Sequence, residues 1–208
     1  MPSARKTPSA KQESVILLAG AEEFLLRRKL QRLIHERVTD DARAFDFNEF
    51  RSAEVDPGVL WNALITLPLF AKNRVVLLHL QGEPKEDLLR TLNRYAANPS
   101  PTTLLLIVQV FEDRGTPLRL EGDVQTLTFP IQSAAKRAQW AQEYMKQAGK
   151  ELPAEAAEYV VSISTSRLAD IAAKLDHAIL YSGDQREISG QALMQVVGVT
   201  SEYLPWDL

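Results

Sequence analysis

Three stretches of this chain are almost wholly apolar: "SVILLAG" (14–20), "RVVLLHL" (74–80) and "TTLLLIVQV" (102–110). Each is far shorter than the ~20 apolar residues a membrane span requires. A strand that is apolar on both of its alternating faces must be covered on both sides. Segments of helical spacing lie between these runs. Phe24, Leu26, Leu30, Leu33, Ile34 and Val38 predict a helix over about 21–38. In "DPGVLWNALITL" (56–67), Asp56 is a helix N-cap and Pro57 a first helical residue. "EPKEDLLRTLNRYAANP" (83–99) is a helix that stops before Pro99. Alternating "RAFDFNEF" (43–50) and "DVQTLTF" (123–129) add two expected strands. Strands alternating with helices specify an α/β domain with a parallel sheet, expected over 15–132.

After Pro130 the texture changes. Ser133 caps an expected helix ending at Gly149, with Trp140, Tyr144 and Met145 on its apolar face. "LPAEAAEYVVSIS" (152–164), "SRLADIAAKLDHAILYSG" (166–183) and "SGQALMQVVG" (189–198) supply three more helices. Four helices and no strand predict a small all-helical domain over 133–199. The first fourteen residues, polar and basic, read as a disordered tail.

Composition narrows function by exclusion. The chain has 208 residues and a net charge of −3, so no global basic field draws it onto nucleic acid. It has no cysteine, which rules out disulfides and thiolate-bound zinc and fits a cytoplasmic location. His35, His79 and His177 lie far apart without ligand spacing, so no metal is expected. No familiar catalytic order of serine, histidine and acid occurs.

The segment "LLAGAEEFLLRRKL" (17–30) places a strand end and a helix start where nucleotide-binding folds hold a phosphate. A phosphate loop requires G-x-x-x-x-G-K-[ST]. From Gly20 the chain instead reads G-A-E-E-F-L-L-R, without a second glycine, lysine or hydroxyl. Glu22 and Glu23 fall where a triphosphate would sit and would repel one, while suiting the helix dipole. The site is degenerate, and no cofactor is expected. Glu112 and Asp113, after an apolar strand, lack a phosphate-loop partner and read as a solvated strand exit.

"LITLPLFAKNRVVLL" (64–78) sets Leu67, Leu69 and Phe70 around Pro68, ahead of Lys72 and Arg74. Large apolar groups in such a connection are either core or a binding tip, and the residues alone favour core.

In the order and spacing of four segments the chain resembles the delta subunit of the bacterial DNA polymerase III clamp loader. They are "LLAGAEEFLLRRKL", "LPLFAKNRVVLL", "NPSPTTLLLIV" and "ISTSRLADIAAKLDHAILYSGDQREIS". The resemblance spans about 15–208. It implies an ATPase-like (AAA+, P-loop NTPase-type) α/β fold that has lost nucleotide binding, followed by a helical lid. It implies that the loop around Leu69 and Phe70 is the wedge that grips the sliding clamp (the beta subunit), with Leu67 at a nearby apolar position. Lys72 and Arg74 read equally as groups that steer an acidic clamp surface and as a solvated strand start. The implied role is to bind and help open the clamp for loading onto primed DNA, ATP being hydrolysed by motor subunits, so the chain is not itself an enzyme. Partners beyond the clamp are the motor subunits and delta prime, joined through a third, collar domain. "YLPWDL" resembles the linker into that domain, which makes 200–208 its expected start and the chain either truncated or a shortened relative. The chain departs from the family at Lys174, Leu175, Asp176, His177 and Ala178, where members usually carry Glu-Leu-x-Lys-Leu.

Two rival functions stay open on sequence. One is a small divergent AAA+ ATPase. The other is a DNA-binding module built on Arg27, Arg28, Lys29 and Arg32, a run that otherwise reads as a solvated helix face.

Overall fold

A computed structural model describes residues 13–112, 115–188 and 193. The chain divides into two compact units, one ending at Phe129 and the other beginning at Pro130.

The first unit runs β1 (Val15–Gly20), α1 (Glu23–His35), α2 (Asp40–Asp46), β2 (Phe47–Arg51), α3 (Pro57–Ile65), β3 (Arg74–Leu80), α4 (Glu86–Ala97), β4 (Thr103–Val110) and β5 (Gln125–Phe129). Its five strands form one sheet in the order β2-β3-β4-β1-β5. Every pairing is parallel. All strands therefore begin at one end of the sheet and finish at the other.

Residue parity explains the apolar runs. Leu17, Ala19, Val76, Leu78, Leu105 and Ile107 point to one face, under Leu60 and Leu64 of α3 and Leu88, Leu92 and Tyr95 of α4. Ile16, Leu18, Val75, Leu77, Leu104 and Leu106 point to the other, under Leu26, Leu30, Leu33 and Ile34 of α1. Both faces are sealed, as the composition of the three central strands demands. The edge strand β5 alternates between partly buried and exposed residues.

Local signals act as their chemistry dictates. The Asp56 carboxylate accepts from the N–H groups of Gly58 (2.8 Å) and Val59 (3.1 Å), capping α3 with Pro57 at its start. One expectation is overturned. "RAFDFNEF" is not one strand: α2 takes its first half and β2 only begins at Phe47. Asp40 and Asp41 lie in the first turn of α2, where carboxylates favour a helix start. The alternation that mimicked a strand separates exposed Phe45 from buried Asp46.

The second unit holds α5 (Ala134–Gln147), α6 (Ala154–Ser162) and α7 (Leu168–Ser182). Ser133 caps α5 by accepting from the Lys136 N–H. The α5 face is buried through Ala141 and Met145, with Trp140 and Tyr144 only partly covered and stacked on each other at 5.0 Å. Val160, Ile171, Leu175 and Ala178 complete this core. Among the described residues, the expected absence of strand is broken by a parallel bridge between Glu151 and Glu187. The expected helix over 189–198 lies outside the described residues except for Leu193, which is buried. The tail over 1–12 and the linker over 200–208 also lie outside them. Among the described residues no helix is long and apolar enough to cross a membrane.

Gly20 ends β1 opposite Phe129 of β5. A Cβ built on it would stand 2.2 Å from the Phe129 carbonyl oxygen and 2.6 Å from its carbon. No side chain fits there without moving backbone. Gly20→Ala is expected to destabilise the unit by about 1–3 kcal/mol, as overpacking does, read from the denaturant midpoint. A midpoint equal to wild type would show that β5 yields freely.

Candidate functional site

Two places in the first unit carry the sequence-derived candidates, and they lie at opposite ends of the sheet. Gly20, Glu22 and Glu23 follow the carboxyl end of β1. Leu67, Leu69, Phe70, Lys72 and Arg74 lie in or just after the connection that enters the amino end of β3.

At the first place β5 approaches where a phosphate loop would open. The Glu22 N–H donates to the Phe129 carbonyl at 2.9 Å. Glu22 stands at the N-cap of α1 and is buried. Glu23 is the first helical residue and pairs with Arg27 at 2.5 Å. Gly20 thus serves the close β1–β5 approach, and the junction holds carboxylates rather than donors for an anion. Glu112 at the exit of β4 is exposed, and Asp113 lies outside the described residues.

At the second place the connection between α3 and β3 runs without helix or strand, yet it is tightly held. The Asp46 carboxylate, fully buried at the end of α2, accepts three backbone N–H groups from it. Leu69 donates to Oδ1 at 2.6 Å, and Phe70 and Ala71 to Oδ2 at 2.7 and 2.6 Å. Arg74 lies beneath, with Nη2 3.7 Å from Asp46 Oδ1. Its guanidinium also donates to Asn48 Oδ1 (2.6 Å) and to the Phe45 carbonyl (3.1 Å). Burial alone would raise the Asp46 pKa, but the three N–H donors and Arg74 outweigh it and hold the carboxyl below its ordinary value.

With the backbone turned inward to Asp46, the side chains turn out. Leu67, Leu69 and Phe70 are 67%, 68% and 70% exposed. That is the opposite of the core placement favoured by the residues alone. Ile65 and Phe45, each about half exposed, extend the apolar surface. The Phe45 ring packs against Phe70 at 4.8 Å and 58°. Clustered exposed groups of this size mark an interaction surface more often than a solvated one.

The basic residues separate. Lys72 is exposed beside the tip. Arg74 is 6% exposed and committed to Asp46, Asn48 and Phe45, so the expectation that it steers a partner is corrected: it works beneath the loop. Phe45, Asp46 and Asn48 are functional candidates that sequence reading missed. Their only signal was an acid, Asp46, inside an otherwise strand-like apolar alternation. On α1, Arg27 pairs with Glu23 and Arg32 with Glu36 (2.8 Å), so much of the basic run is neutralised within its own helix.

A parallel α/β sheet with a degenerate phosphate position, joined in sequence to a helical unit, defines the class of AAA+ ATPase-like folds. The RuvB Holliday junction branch migration motor of Thermotoga maritima shares that fold at a TM-score of 0.53 and 13% identity, over 89% of this chain and 61% of that one. Within the class the sequence is more particular. Residues 16–116 match the family model described as DNA polymerase III, delta subunit. DNA polymerase III subunit delta of Bacillus subtilis (strain 168) is 24% identical over 190 residues, covering 84% of this chain and 54% of that protein. The solved Bacillus subtilis DNA clamp loader delta protein (YqeN) superposes with a TM-score of 0.67 at 21% identity, over 88% of this chain and 58% of that one. The chain is thus similar to DNA polymerase III delta subunits over part of its length, and it spans little more than half the length of the relatives it matches.

Asp46→Asn keeps the shape but removes one acceptor oxygen and the charge. It is expected to cost about 1–3 kcal/mol, the penalty of buried groups left unpaired. Because the folded carboxyl titrates below the ordinary aspartate value of 3.8, its contribution is complete above that value and is lost as pH falls through the folded one. Urea unfolding followed downward through this range should show the gap between wild type and variant closing. A gap independent of pH would contradict the anchored carboxylate.

Proposed function

We propose that this chain is the clamp-engaging portion of a DNA polymerase III delta subunit. It binds a ring-shaped sliding clamp through Leu67, Leu69 and Phe70, helps hold the ring open for loading onto primed DNA, and does not itself hydrolyse ATP. The observation that carries this reading is the pair Leu69 and Phe70, about two-thirds exposed on a loop whose backbone is fixed from beneath. A soluble surface does not gather such groups without a partner to cover them.

The mechanism needs no bond chemistry. Each apolar side chain buried in a pocket of the clamp contributes ~1.5–3 kcal/mol. A ring that binds the wedge better when open than when closed is shifted toward the open form by that difference in affinity. The fixed loop lowers the ordering cost of docking, so more of the contact energy reaches the ring. Lys72 is positioned to favour an acidic clamp surface. Motor subunits and delta prime would be further partners in the same assembly, and contact with primed DNA would occur within it. The close β1–β5 approach at Gly20 and the carboxylates of Glu22 and Glu23 at the start of α1 support the non-hydrolysing part.

Leu69→Ala/Phe70→Ala is expected to weaken binding of the cognate sliding clamp by at least about 2 kcal/mol, some 30-fold, while the melting temperature stays near that of wild type because both side chains are exposed. Calorimetric titration reads the affinity. Equal affinity of the two folded proteins would sink the proposal. Mg-ATP added to the same wild-type protein should leave its melting temperature unchanged, whereas a bound nucleotide would raise it and favour the ATPase alternative. Strongly salt-dependent binding of DNA by this chain would favour the DNA-binding one.

A further inference from the structure

We infer that the dipeptide Phe45-Asp46 is the second half of the docking tip, with Phe45 a contact residue beside Phe70 and Asp46 a positioning residue that acts through Leu69 and Phe70. The inference rests on the clamp-docking reading above and assigns it two residues more than twenty positions upstream of the loop.

The geometry of Phe45 leaves a partner little choice. Its ring packs on that of Phe70 at a centroid distance of 4.8 Å, and half of its surface stays exposed. Phe45 and Phe70 also wall the same shallow pocket, together with Ala42 and Thr39. A cavity that receives the exposed part of Phe70 must therefore accommodate the neighbouring edge of Phe45 or force the two rings apart. Aromatic pairs of this kind present a large area with few rotatable bonds, which suits the centre of an interface.

Asp46 has a different role. Its side chain is 0% exposed and touches no partner. Its two oxygens take consecutive N–H groups of Leu69, Phe70 and Ala71, the stretch of backbone whose direction decides where the Leu69 and Phe70 side chains point. Arg74 ties this carboxylate to the carbonyl of Phe45, so the contact ring and the loop share one buried support. Loss of the carboxylate frees the loop to sample other directions, and binding must then select the productive one from a mixture.

The test is a titration of the cognate sliding clamp with five forms of this chain: wild type, Phe45→Ala, Asp46→Asn, Leu69→Ala/Phe70→Ala, and the last combined with Asp46→Asn. Phe45→Ala and Asp46→Asn should each weaken binding roughly tenfold, typical of an anchor or its support. Added to Leu69→Ala/Phe70→Ala, Asp46→Asn should do nothing further, because the groups it positions are gone. A merely structural role would weaken both backgrounds alike and overturn the positioning claim, and wild-type affinity in Phe45→Ala would overturn the contact claim. Amide hydrogen exchange on wild type guards against an Asp46 variant that fails to fold. The amides of Leu69, Phe70 and Ala71 should be protected in a loop without helix or strand, and free exchange there would refute the anchor directly. If Leu69→Ala/Phe70→Ala binds like wild type, the docking reading itself fails and takes this inference with it. If that variant fails to bind while Phe45→Ala and Asp46→Asn match wild type, only this inference is lost.

Discussion

A carboxylate buried away from water is costly unless donors surround it. Asp46 meets that condition with groups borrowed from a loop that has none of its own to spare: the N–H groups of Leu69, Phe70 and Ala71, with Arg74 alongside. The exchange is mutual. The carboxylate is stabilised, and a connection without helix or strand acquires the fixed backbone such segments usually lack. The outward direction of Leu69 and Phe70 follows from it, because a backbone whose N–H groups face inward leaves its large side chains no covered place to go.

The sheet separates this tip from the β1–α1 junction by its full height. Parallel strands put every βα junction at one end and every αβ junction at the other. Gly20 and Glu22 belong to the first end, and Asp46 and Leu69 to the second. At the first end β5 has closed in until no Cβ fits on Gly20. Between the two ends lie the central strands β1, β3 and β4, buried on both faces.

Much of this fold was legible because its signals are local. Apolar runs gave the central strands, and Asp56 with Pro57 gave a helix start. What escaped was decided by residues distant in sequence. The loop's apolar groups read as core because their exposure depends on Asp46, more than twenty residues upstream. Arg74 read as a steering group or a solvated strand start because its partners, Asn48 and the Phe45 carbonyl, lie far away in sequence. The segment 43–50 read as a strand because period-two alternation also describes a chain that leaves a helix with one side chain out and the next one in. Each miss falls on the same cluster. Local rules break where distant groups compensate.

The chemistry of that cluster also restricts what can stand at position 46. Three N–H groups converge there, each needing an acceptor lone pair, and the Arg74 guanidinium stands 3.7 Å away as an ion-pair partner. A carboxylate offers two oxygens and about four such sites, whereas an amide offers one oxygen and turns a donor toward the rest. A longer carboxylate would carry its oxygens past amides already at 2.6–2.7 Å. Aspartate alone matches count, charge and reach. The same count requires a cation at position 74, since a buried negative charge held only by dipoles would still lack a counter-charge. Tip and support are therefore specified together. Leu69 and Phe70 supply exposed apolar surface, while Asp46 and Arg74 supply the reason those two side chains remain at the surface.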